Sequence, residues 1–176
     1  MSGHRPRSDP RAEAARRAAR VQLPLLDRLI DDAPDDPRDP ALSATDAMLA
    51  LRNAVRRDIE ALLNARRPWL PIPPAYAAVK LSPFGYGIPD VMAATLADPR
   101  RRESLRAEIE DTVRRFEPRF SSVRISIVDN ADKLEATLRL RIEAMLQAEP
   151  APEPVAFDTF VDTSVDKVVV RPSDNV

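Results

Sequence analysis

The groups able to do chemistry in this chain are few in kind: 28 Asp and Glu, one His and no Cys. The histidine, His4, lies in a terminal stretch almost without apolar residues, so no Ser/His/Asp or Cys/His arrangement can be built on it. Metal sites made of His or Cys fall for the same reason. Carboxylate pairs remain, because a glycosidase needs only two Asp or Glu roughly 5 to 9.5 Å apart across a cleft. Glu108, Asp111 and Glu117 can be nominated, but with 28 acidic residues the nomination has no specificity. Asp111, four residues before Arg115, is already accounted for as a helix surface pair.

Glu117-Pro118-Arg119 is more defined. The proline holds the two charged side chains at a set separation, which suits a fixed polar clamp. Two readings stand side by side: an internal ion pair that pins a helix to a hairpin, and a clamp that faces a partner. Gly85 and Gly87 are two of only three glycines in the chain. Their placement implies a backbone that needs φ > 0 or a close approach. No strand precedes them, so Gly-x-Gly reads as a turn rather than a phosphate loop. Tyr86 and Gly87 belong to that turn, while Pro89 and Asp90 open a short helix expected to run through Leu96.

The elements that must position these residues follow from periodicity. Leu105, Ile109, Val113 and Phe116 share one helical face, and Pro118 closes that helix at about Phe116. Beyond it Val123, Ile125 and Ile127 alternate with polar residues. The alternation resumes after Asp129–Lys133, from Leu134 to Leu146, which predicts a long antiparallel hairpin. A strand over 134–146 would span about 40 Å. Its middle, Leu138, Arg139, Leu140, Arg141 and Ile142, is a candidate free edge for strand addition. Upstream, Ser43 and Asp46 form a capping box for a helix whose buried stripe is Met48, Leu51, Val55, Ile59, Leu62 and Leu63. Arg56 and Glu60 read as a surface pair.

The predicted fold is α+β, with helices packed on a small antiparallel sheet that contains a long β-hairpin, plus an N-terminal arm. Residues 1–40 read as a flexible arm with a short apolar docking helix at 23–30, in which Leu25, Leu26, Asp27, Arg28 and Leu29 are the candidate docking segment. Residues 41–149 read as the main domain. Residues 150–176 are a proline-rich spacer and a C-terminal strand arm, expected to add to the hairpin.

The net charge is −1 and arginines are interleaved with acids, which argues against nucleic acid as a partner. No apolar stretch resembles a signal peptide or membrane span, so the expected location is the cytoplasm without direct membrane insertion. No cofactor, metal or small-molecule ligand is expected.

At several of these residues the sequence resembles the TssE family, baseplate wedge proteins of type VI secretion systems related to the gene-25-type wedge proteins of contractile phage tails. The resemblance covers roughly 25–157. It rests on Leu25-Leu26-Asp27-Arg28-Leu29, Val55-Arg56-Arg57-Asp58-Ile59-Glu60, Leu62-Leu63-Asn64, Arg66-Arg67, Tyr86-Gly87-Ile88-Pro89-Asp90 and, most specifically, Phe116-Glu117-Pro118-Arg119. Pro83 and Gly85 stand where relatives commonly carry a branched aliphatic residue and an Asn. The resemblance implies a structural protein that is not an enzyme. It implies partners TssF, TssG and TssK, the sheath subunits TssB and TssC, and a place at a baseplate docked on the inner-membrane complex. The sheet would seed sheath assembly, by strand exchange. Relatives have also carried a lysozyme-like label, so a muralytic enzyme using a carboxylate pair is the competing class.

Overall fold

A computed structural model describes residues 24–30, 35, 43–68, 72–90, 98–128, 137–149, 151–162, 164 and 167–173. Its helices are α1 (Leu25–Leu29), α2 (Ala44–Asn64), α3 (Ala77–Lys80) and α4 (Pro99–Phe116). Its strands are β1 (Phe120–Val128), β2 (Thr137–Leu146), β3 (Glu153–Asp162) and β4 (Lys167–Pro172). The four described strands make one antiparallel sheet in the order β1-β2-β3-β4.

The two long helices start and stop where local chemistry demands. At the start of α2, Ser43 Oγ accepts the Asp46 amide at 3.1 Å and donates to the Asp46 carboxylate at 2.6 Å. Pro99 takes the first position of α4, behind Asp98, whose carboxylate accepts the Arg100 amide at 2.9 Å. The helix ends at Phe116, as the following Pro118 requires.

The apolar faces of α2 and α4 meet one face of the sheet. Val55, Ile59 and Leu63 from α2 and Ile109 and Val113 from α4 are fully buried. So are Ile142 and Leu146 of β2 and Val168 of β4. Strand alternation puts Leu138, Leu140, Ile142 and Ala144 inward, and the arginines and glutamate between them face out. Met48, expected in the buried stripe, is only partly buried, and Ala47 and Ala54 lie in the stripe instead.

The C-terminal segment adds to the hairpin, as its strand composition predicts. β3 pairs with β2 from Glu153 to Asp162, and β4 pairs with β3, so the C-terminal residues supply half of the sheet. Val155, Phe157, Val161, Val168 and Val170 all join the core. Of the prolines expected to form a spacer, Pro152 lies just before β3 and Pro154 lies within it. Pro154 fits inside β3 because β4 pairs only with residues 157–162. At Pro154 the missing N–H therefore interrupts no second ladder.

α2 packs along β4 and α4 along β1. The sheet thus has one helix at each flank. The expected residues 134–136 of the long strand, the helix from Pro89 to Leu96 beyond Asp90, and Leu23 lie outside the described residues.

Candidate functional site

The corner between α4 and β1 is organised by a charge. Glu117 leaves the helix with φ −116° and ψ 79°, and its side chain is only 4% exposed. A carboxylate that deep needs strong partners. Arg119 supplies them: Nε donates to Oε1 at 2.5 Å, Nη2 donates to Oε2, and the Arg119 amide donates to Oε1 at 3.3 Å. This is a forked, charge-assisted grip across one proline.

The grip extends to α2. Arg119 Nη2 also donates to Asp58 Oδ2 at 2.8 Å. Asp58 Oδ1 accepts from Arg57 Nη2 at 3.1 Å, and Arg57 Nη1 donates to Asp27 of α1 at 2.6 Å. An alternating chain of acids and arginines, Asp27, Arg57, Asp58, Arg119 and Glu117, therefore ties α1, α2 and the corner together. Burial works against the Arg119 charge, but Glu117 and Asp58 outweigh it and its pKa is raised. Burial raises the Tyr86 phenol as well, with Asp58 and Glu117 adding to the shift.

The glycine turn holds the other wall of the corner. Gly87 has φ +97°, and a Cβ there would stand 2.4 Å from the Ala65 carbonyl oxygen. Its bareness lets Ile88 pair with the end of α2: Ile88 N donates to Ala65 O at 3.0 Å and Arg67 N donates to Ile88 O at 3.0 Å. Gly85 serves by close approach alone, since a Cβ would come within 2.1 Å of Lys80 O. An Asn would not fit that space. The turn places Tyr86 edge-on to Phe116, with ring centroids 5.3 Å apart. A shallow cavity of about 380 Å³ lies here, lined by Leu25, Asp58, Tyr86, Phe116 and the 117–119 corner.

Of the residues singled out from sequence, Glu117, Pro118, Arg119 and Tyr86 converge on this corner, with Pro118 exposed. Gly87 supports it from below, while Pro89 and Asp90 lead away from it. Of the docking segment, Asp27 turns inward to Arg57. Leu25, Leu26 and Leu29 are each more than half exposed, and Arg28 is exposed too.

The candidate edge at Leu138–Ile142 is corrected by the topology. β2 is paired on both sides, with β1 and with β3, so none of its backbone is a free edge. The hairpin alone suggested an edge, and the C-terminal strands filled it. Leu138, Leu140 and Ile142 are core residues. On the other face the Arg139 guanidinium lies 5.5 Å from the Phe160 ring centre, and Arg141 donates to Ser173 Oγ at 2.6 Å.

The nominated acids are all engaged: Glu108 with Arg67 at 2.7 Å, Asp111 with Arg115, and Glu117 with Arg119. At the corner cavity Arg119 occupies the space between Asp58 and Glu117, so these two carboxylates flank a guanidinium rather than a substrate bond. Among the described residues, no group of three or more His, Cys, Asp or Glu could hold a metal ion. No described helix is long and apolar enough to cross a membrane.

Asp58 was not reachable as a site residue from local sequence. It sits 61 positions from Arg119, and only the packing of α2 beside the corner joins them.

A family model described as baseplate wedge protein gp25 matches residues 49–151, more than half of the chain. The match takes in Asp58, Tyr86 and the 117–119 corner and leaves out α1. No curated protein matches the chain.

Proposed function

The chain belongs to the baseplate wedge protein gp25 family, and from that premise we propose that it is the wedge component of a type VI secretion baseplate, of the TssE kind. Its role in a baseplate is structural. On this reading it binds TssF and TssG, meets TssK, and connects the baseplate to the sheath subunits TssB and TssC through its sheet. It works in the cytoplasm on a baseplate docked to the inner-membrane complex.

The observation that carries this reading is the braced corner. Glu117, Arg119 and Asp58 lock the turn that presents exposed Pro118 beside Tyr86 and the exposed leucines of α1. A rigid corner next to unburied apolar side chains suits a protein docking surface. It does not suit a muralytic site, because the acids there are occupied by arginine. Nothing in the described residues supports that alternative.

The test is co-expression with the neighbouring TssF and TssG proteins, affinity capture, and sizing of the product. A stable stoichiometric complex is expected. Well-folded protein that captures neither would overturn the proposal.

A further inference from the structure

Each long helix carries a polar row at i, i+4 and i+8 on its sheet-facing flank: Arg56, Glu60 and Asn64 on α2, and Arg106, Glu110 and Arg114 on α4. Both rows end on strand backbone. On β4, the Asn64 carboxamide donates to Val168 O at 2.8 Å and accepts from Val168 N at 3.0 Å. Glu60 accepts from Val170 N at 3.0 Å, and Arg56 donates to Val170 O at 3.2 Å. On β1, Glu110 accepts from Ile125 N at 3.1 Å and Arg106 donates to Ile125 O at 3.1 Å. Arg114 reaches Val123 O at 3.4 Å.

β1 and β4 are the two outer strands, and an outer strand offers unpaired N–H and C=O groups on every second residue. The helix side chains satisfy those groups as a neighbouring strand would, with one donor and one acceptor at each of Val168, Val170 and Ile125 and a donor alone at Val123. On β4 every outward N–H of the strand is covered. Val168 and Val170 are clasped, and the next outward residue, Pro172, has no N–H. On β1 the clasp serves Val123 and Ile125, whereas Ile127, outward by alternation, has no such partner among the described residues. Within the β1 clasp the Arg114 side chain is 57% exposed, while Arg106 and Glu110, at 21% and 20%, are less exposed than Arg56 and Glu60 at 31% and 32%.

We propose that these clasps are edge guards: they hold the sheet at four strands and keep a second copy of this chain from adding to it, and the β1 guard, which leaves Ile127 outside its reach, is the less complete one. Removing Glu110 and Arg106 from Ile125 would expose a strand edge from Ile125 to Val128. This inference stands apart from the wedge reading, because it concerns copies of the chain alone.

Two measurements on the full-length protein test it. Amide hydrogen exchange on the wild-type protein should show Ile125, Val168 and Val170 protected well above Ile127. Exchange of all four at the same fast rate would overturn the proposal without any variant. Sedimentation velocity over a concentration series then compares R106A/E110A with D111A/R115A, which removes the same charges from α4 away from the strand. R106A/E110A should self-associate at least about tenfold more tightly than wild type, and D111A/R115A should not. Equal behaviour of the two variants, or a wild type that already pairs through β1, would defeat it. Should R106A/E110A fail to fold, the exchange pattern decides alone.

Discussion

Asn64 grips Val168 in both directions, its carboxamide giving one hydrogen bond to the carbonyl and taking one from the amide across 104 positions of sequence. A last-turn helix residue thus serves as the missing neighbour of an outer strand. Asn64→Ala leaves both backbone groups of Val168, a buried residue, without protein partners. The expected cost is about 1 to 3 kcal/mol in urea unfolding. Asn64→Asp, which keeps the acceptor and loses the donor, should fall between the two.

Arg119→Met is expected to be more costly, about 3 to 5 kcal/mol, because it strands the buried Glu117 carboxylate. The double variant Arg119→Met/Glu117→Gln removes the charge left behind and should recover part of that loss. Denaturant midpoints of the two singles and the double, read as a cycle, check this.

Gly87→Ala meets two obstacles, a φ of +97° and the Ala65 carbonyl. A loss of about 1 to 3 kcal/mol is expected. Thermal unfolding measures it, and an unchanged midpoint would show that the turn moves freely off the end of α2.

Leu26 and Leu29 project from α1 into solvent. Leu26→Asp/Leu29→Asp should leave stability within about 0.5 kcal/mol, since surface changes of this kind seldom matter to folding. Capture of TssF and TssG should weaken. Retained capture at wild-type levels would remove α1 from the docking surface.

Acid should loosen the β1 guard. Burial pushes the Glu110 carboxyl up, but the Ile125 amide, Arg114 and Arg106 outweigh it and hold its pKa below the ordinary value. A folded-state pKa below the unfolded one contributes stability that is fully present above the unfolded value, roughly 4.3, and is lost as pH falls through the folded one. Glu110→Gln should therefore flatten the acid limb of a stability-against-pH curve. Parallel curves for the two proteins would contradict the sign.

Helix ends and strand faces were legible because their causes are local. Ser43 caps α2, Pro118 stops α4, and alternation put Leu138, Leu140 and Ile142 on the core face. Gly87 announced a special backbone through glycine scarcity alone. The free edge did not survive, because strand order depends on which distant segment pairs next, and the alternation within β2 is the same for an outer and an inner strand.

By itself, then, the sequence determined the two long helices, the alternating strand faces and the fixed separation of Glu117 from Arg119 across a proline, since each follows from neighbours a few residues apart. Only the tertiary structure decided that Asp58 closes the corner, that β4 adds a fourth strand beside β3, and that the Arg56-Glu60-Asn64 and Arg106-Glu110-Arg114 rows clasp strand backbone rather than water. A row of charges four apart looks the same on a solvated helix and on one laid beside a sheet edge. The difference lies in hydrogen bonds between groups 9 to 114 positions apart, which no local pattern encodes.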